Sequence, residues 1–133
     1  MGQKLRINIC ASSDSFGGYA ENCEGIYVAG DSVKEVQEEV YKLIPILKEE
    51  WPRKEWPQAL KEDWPIEWHY DVQSLLMHYQ GIFTNAALSR LTGINQKQLW
   101  NYAHGLAKPR KEAKNKIEKA LHLLGQELLE FSL

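Results

Sequence analysis

The chain has 133 residues, 44% of them apolar and 26% charged, which suits one ordinary domain or two small modules. Its apolar runs are far shorter than the ~20 residues a membrane-spanning helix needs, and residues 1–10 lack the apolar stretch of a secretion signal, so no membrane association and a cytoplasmic location are expected. The formal charge of −2 conceals segregation: residues 1–83 hold 8 Lys and Arg against 14 Asp and Glu, whereas residues 84–133 hold 8 against 4.

In chain order, Lys4–Cys10 alternates, with Leu5, Ile7 and Ile9 on one face and Arg6 and Asn8 on the other, which predicts a half-buried strand. Ser12–Gly18 reads as a turn cluster closing on Gly17-Gly18, good hairpin chemistry. Tyr19–Cys23 and Ile26–Ala29 read as a second and a third strand. Cys10 and Cys23 could then sit on neighbouring strands, but reduced thiols are the expectation for a chain without secretion signals. Gly30-Asp31-Ser32 precedes a helix, with Ser32 and Glu35 forming a capping box. Its apolar positions are Val33, Val36, Val40, Leu43, Ile44 and Leu47, and Pro45 should kink it or end its regular part.

Trp-Pro occurs three times, at Trp51-Pro52, Trp56-Pro57 and Trp64-Pro65. Each proline pushes its tryptophan toward extended geometry. An irregular connection anchored by indoles follows, with one short helical turn near Gln58–Glu62. The tryptophans either clamp this loop onto the module or offer a partner surface. Ile66–Asp71 alternates again and reads as a fourth strand returning to the sheet. From Val72 the period turns helical through Leu75, Leu76 and Tyr79. The module boundary is therefore set between residues 71 and 72, dividing the chain into 1–71 and 72–133. Helices are predicted at about 72–80, 84–92, 95–104 and 110–130. The last carries Ala113, Ile117, Ala120, Leu121, Leu124 and Leu128 on one stripe, with Gly125 as a weak spot or a first end.

Thr84–Pro109 carries the most specific signal. Ala87, Leu88 and Leu91 form a helical apolar pattern stopped by Gly93, and Ile94 fills the turn. Asn95 opens a second helix with Leu99 and Tyr102 inward, ended by Gly105 and Pro109. Two short helices across a tight Gly turn are the sequence form of a helix-turn-helix, whose second helix reads the DNA major groove. Asn95 is a good N-cap, with Gln98 able to complete a capping box. Gln96, Lys97 and Asn101 are then exposed, and these residue types pair with adenine or guanine edges. They are the base-reading candidates, with Gln98 and Trp100 second; Trp100 is assigned to packing or a dimer contact. Thr84 and Asn85, at a helix N-terminus, together with Asn95, His104, Lys108 and Arg110, are the backbone-contact candidates. Lys111 is a further phosphate candidate, and Lys114, Lys116 and Lys119 read as solubilising. Residues 84–122 hold 8 basic against 2 acidic residues, a setting suited to nucleic acid, although a Lys-rich solvated face has the same composition.

No catalytic or metal site is expected. His69, His78, His104 and His122 are widely spaced, with no Cys or carboxylate at metal-site intervals. There is no phosphate loop or dinucleotide glycine pattern, so no cofactor is expected. Asp14, Asp31 and Asp71 are a remote candidate for an acidic nuclease cluster, and two of them fall in predicted turns.

The order of parts resembles the HicB antitoxins over about residues 4–124. Two segments carry the resemblance. Gly30-Asp31-Ser32-Val33-Lys34-Glu35-Val36 is similar to the helix start of that family's N-terminal domain. Leu88-Ser89-Arg90-Leu91-Thr92-Gly93-Ile94-Asn95, running on to Leu99, Gly105 and Pro109, is similar to the signature of Xre-type repressor domains. The chain departs from the family at the long Trp-Pro segment, at Pro45, and at Cys23-Glu24-Gly25, where the family has a Pro-Gly-rich strand motif.

The resemblance implies an α+β protein: a small partial RNase H-like β-β-β-α-β domain, catalytically dead, then an all-α, phage-repressor-like helix-turn-helix domain. It implies a non-enzymatic antitoxin of a type II toxin-antitoxin pair. Such a protein neutralises a small mRNA-cleaving HicA-like toxin and represses its own operon by binding operator DNA. Asn95 then matches the recognition-helix cap, Gln96, Lys97 and Asn101 the base-contacting positions, and Asn85 a phosphate contact. A homodimer or higher even-numbered oligomer is expected of a helix-turn-helix reader. The alternative function is a helix-turn-helix transcriptional regulator whose first module dimerises or senses a ligand. A nuclease is the third reading.

Overall fold

A computed structural model describes residues 2–133. The chain is mixed α+β, with a four-stranded mixed sheet and six α-helices among the described residues. It divides into two compact units, one ending at His78 and the other running from Tyr79 to Leu133.

In the first unit, alternation at the N-terminal end becomes β1 (Leu5–Ala11), with Leu5, Ile7 and Ile9 fully buried and Arg6 and Asn8 half-buried. β1 pairs antiparallel with β2 (Phe16–Ala20), which pairs antiparallel with β3 (Tyr27–Gly30). The first turn differs from the sequence reading. Residues 12–15 make it, with the Ser12 N–H donating to the Ser15 carbonyl at 2.9 Å, and Gly17 and Gly18 lie inside β2. Packing explains the glycine: a Cβ on Gly18 would stand 2.7 Å from Val36 Cγ1, so its absence lets the following helix approach the sheet. The second strand consequently begins three residues earlier than predicted and ends before Cys23. Cys23 lies between β2 and β3 rather than on a strand, and both thiols are free.

α1 (Val33–Glu50) starts where the capping pattern places it. The Glu35 N–H donates to Ser32 Oγ at 3.1 Å, while the Glu35 carboxylate reaches back to the Asp31 N–H at 2.5 Å. Val33, Val36, Val40 and Leu47 are buried, and Leu43 and Ile44 half-buried. Pro45 neither ends the helix nor divides it. Proline removes the donor to the carbonyl four residues back. That residue is Tyr41, and Tyr41 and Pro45 are both exposed, so solvent can satisfy the orphaned group.

The Trp-Pro segment folds as a 3₁₀ turn (Arg53–Glu55) and a one-turn helix α2 (Gln58–Lys61), placed as the sequence suggests. Its tryptophans act as clamps. Trp51, Trp56 and Trp64 are half-buried against the core of Leu5, Ile7, Cys23, Ile26, Val40 and Leu47. The Trp56 indole N–H donates to the Trp51 carbonyl at 2.9 Å. β4 (Ile66–Tyr70) then joins the free side of β1 in parallel, Ile7 beside Trp68, completing the order β3-β2-β1-β4. α3 (Val72–Tyr79) follows directly. Asp71 caps it by accepting the Ser74 N–H at 2.7 Å, and the buried Ser74 hydroxyl donates to the Ile9 carbonyl at 3.0 Å.

The second unit contains α4 (Asn85–Thr92), α5 (Gln96–Ala103) and α6 (Lys111–Glu130). α4 packs on both α5 and α6. Leu88, Leu99, Tyr102 and Ile117 are its buried apolar side chains. Leu91, predicted inward, is exposed, and Thr92 takes the buried place. A threonine is tolerated there because its hydroxyl donates to the Leu88 carbonyl (2.7 Å) and accepts the Ile94 N–H (3.1 Å). α6 runs through Gly125 without a break, and Leu128, assigned to its inward stripe, is 55% exposed. No helix among the described residues is long and apolar enough to cross a membrane.

Candidate nucleic-acid interface

The α4–α5 pair is built by local rules. Thr84 caps α4, its hydroxyl accepting the Ala87 N–H at 3.0 Å. Gly93 ends it in the left-handed conformation (φ 76°), its N–H reaching the Ser89 carbonyl at 2.8 Å. A side chain there would meet nothing, so backbone conformation alone selects glycine. Only Ile94 and Asn95 separate Gly93 from α5. The Asn95 carboxamide accepts the Lys97 N–H at 2.8 Å, one residue short of the Gln98 N–H that a capping box uses. α5 closes with Gly105 at φ 72°. There the Leu106 N–H reaches the Asn101 carbonyl at 2.9 Å and the Gly105 N–H the Tyr102 carbonyl at 3.2 Å, a Schellman ending.

This frame sorts the α5 side chains. Leu99 and Tyr102 are buried against the unit; Gln96, Lys97, Trp100 and His104 are exposed; Gln98 and Asn101 are half-buried. Lys97, Asn101 and His104 follow at helical spacings of four and three, and Gln96, Trp100 and His104 at four and four, so the five share one side of α5. Asn101 is less open than the sequence reading had it. Trp100 belongs to this outward set: it is 43% exposed, and its ring stacks on His104 at a centroid distance of 3.9 Å. The stack is braced by a 2.8 Å contact between His104 Nδ1 and the Trp100 carbonyl. Trp100 thus lies outside the buried core of its unit, so of its two expected roles, packing or a dimer contact, packing within the unit is the one the structure does not give it. Alternation of Leu99 with Trp100 along the chain could have shown this, because adjacent helix residues point about 100° apart.

The backbone-contact candidates fall into two groups. Thr84 and Asn85 stand at the N-terminus of α4, Thr84 exposed and Asn85 half-buried. Asn95 and His104 bracket α5, and Lys108, Arg110 and Lys111 lie in and after the segment leading to α6, all exposed. Among the described residues, the ion pairs of the second unit reduce to Lys116 with Glu112 at 3.9 Å. Lys97, Lys108, Arg110 and Lys111 therefore keep their charge uncompensated by a carboxylate contact.

The first unit places its acidic candidates elsewhere. Asp71 caps α3 and the Asp31 N–H is tied to Glu35, while Asp14 lies in the β1–β2 turn. No group of three or more His, Cys, Asp or Glu among the described residues is arranged to hold a metal. The shifted acids are structural. The His69 and Lys4 side chains hold the Glu67 carboxyl below its usual range, and Lys48 does the same for Asp63. Burial, reinforced by Glu24, pushes the Cys23 thiol up. No family model, curated protein or solved structure matches this chain.

Proposed function

We propose that this chain is a DNA-binding antitoxin and autorepressor: its second unit a helix-turn-helix operator reader, its first a partial RNase H-like module that captures a small basic toxin. The observation that carries the DNA reading is the α4–Gly93–α5 frame. It buries Leu99 and Tyr102, turns Gln96, Lys97, Trp100 and His104 outward, and is followed by basic side chains without carboxylate partners. On this reading Gln96, Lys97 and Asn101 contact base edges. Thr84, Asn85, Asn95, His104, Lys108 and Arg110 hold the phosphates and set the register.

Support for the first unit is coarser. A three-stranded meander with a fourth strand parallel to the first is compatible with a partial RNase H-like sheet. The excess of acid in residues 1–83 suits a basic partner by charge complementarity.

Two measurements test the reading. Binding to a random duplex library should enrich one operator sequence built of paired half-sites. Co-expression with a short basic protein encoded beside this one should relieve that protein's toxicity and yield a stable complex. Enrichment without any such complex would leave a helix-turn-helix regulator whose first module dimerises or senses a ligand.

A further inference from the structure

We propose that His104 couples duplex binding to the uptake of a proton: it can donate to a phosphate only as an imidazolium, so affinity falls as pH rises. The inference rests on the second unit being a duplex binder and adds the regulation of one of its phosphate contacts.

Valence is the first ground. Nδ1 of His104 lies 2.8 Å from the Trp100 carbonyl oxygen. A carbonyl only accepts, so Nδ1 carries the hydrogen. In the neutral ring Nε2 is then a lone pair, itself an acceptor. Phosphate oxygens are acceptors too, so a neutral His104 and a phosphate have no hydrogen to share. A second proton turns Nε2 into a charged donor, and the contact becomes a charge-assisted hydrogen bond.

The second ground is that the ring is held in this role. It lies on the Trp100 indole, with centroids 3.9 Å apart and planes 24° from parallel. Moving the hydrogen to Nε2 would set the Nδ1 lone pair against the carbonyl oxygen. Turning the ring over would take Nδ1 away from that oxygen and lose the bond. Nε2, at the far edge of an exposed side chain, has no hydrogen-bond partner among the described residues.

The third ground is the setting. The other ionisable side chains of α5 are Lys97 and the buried Tyr102; α4, packed on α5, carries Arg90, and Lys108 and Arg110 follow in the next segment. Residues 72–111 contain no Asp or Glu. Among the described residues, the ion pairs of the second unit reduce to Lys116 with Glu112, so no carboxylate contacts His104. The anion that meets its second proton is therefore supplied by the duplex. Histidine is the side chain whose charge changes between about pH 5 and 8, which sets the window.

The test is anisotropy at one salt concentration, with the operator selected by the wild type and a random duplex as probes. From pH 6 to pH 8 both affinities should fall by about tenfold, the value of one hydrogen bond to a charged group. Both should fall together because a phosphate contact carries no sequence information. His104→Gln, whose amide donates at every pH, should flatten both profiles. His104→Arg, charged throughout, should flatten them near the affinity the wild type has at pH 6. His122→Gln should keep the slope. Circular dichroism at both pH values should show each variant folded, since both histidines are exposed. Calorimetry in two buffers of different ionisation enthalpy should show net proton uptake on binding, lost in His104→Gln. A flat wild-type profile, or a slope that survives His104→Gln, would overturn the proposal and leave duplex binding standing. A slope on the operator alone would make His104 a base reader and overturn it as well. Equal slopes on two duplexes bound equally well would support the proton contact and contradict the base-reading role of α5. A wild type that binds no duplex would overturn both.

Discussion

Leu99 and Trp100 are neighbours in sequence with opposite fates, one fully buried and the other 43% exposed. Leu99→Ala should therefore cost about 2–5 kcal/mol of stability, the range for a buried leucine. Trp100→Ala should stay within about 0.5 kcal/mol of the wild type, as surface changes do. Urea unfolding of the two variants decides between this assignment and one in which Trp100 packs inside. A second contrast concerns phosphates. Lys108→Ala should weaken all duplexes alike and reduce the slope of log affinity against log salt by about 0.9, the share of one phosphate contact. A sequence-dependent loss would make Lys108 a base reader instead. The thiols differ as well: Cys10 is half-buried, whereas Cys23 is buried and its thiol is pushed toward the protonated form. A disulfide-exchange reagent near neutral pH should label Cys10 first, because the thiolate is the reacting species and access limits its attack.

At the scale of the element, periodicity and caps made most of the architecture legible. Ser32 with Glu35, Thr84, Asn95, Gly93 and Gly105 all mark helix ends that the structure contains. The alternation of Ile66–Tyr70 found the fourth strand, and the change of period at Val72 found α3. What escaped was tertiary in origin. Gly17-Gly18 has the composition of a turn, yet Gly18 serves the approach of α1, a contact with a residue eighteen positions away. Thr92 over Leu91 was hidden because a hydroxyl that bonds its own helix can replace an apolar side chain. Pro45 violates helix chemistry on a face open to solvent, where the violation is cheapest. Pro45→Ala should consequently raise the melting temperature by restoring the donor to the Tyr41 carbonyl, since a proline inside a helix costs about 3 kcal/mol. Gly93→Ala should lower it, because holding a side-chain-bearing residue left-handed costs about 1–2 kcal/mol of stability; an unchanged melting temperature would show that the α4–α5 turn relaxes.

For the whole molecule, the division of charge is the organising property. An acidic first unit and a basic second one give the chain two surfaces with opposite preferences, and −2 as their sum. On the proposed function the basic part meets a polyanion and the acidic part a basic protein, and both associations should then weaken as salt rises. The DNA reading is the central claim, and its sharpest test is Gln96→Ala, measured by fluorescence anisotropy on the selected operator and on a random duplex at the same salt concentration. Affinity for the operator should fall by roughly 1–3 kcal/mol with the random duplex unaffected, as expected for the loss of one base-edge contact. Equal loss on both duplexes, or a wild type that prefers no sequence, would contradict the assignment of α5 as the reading helix.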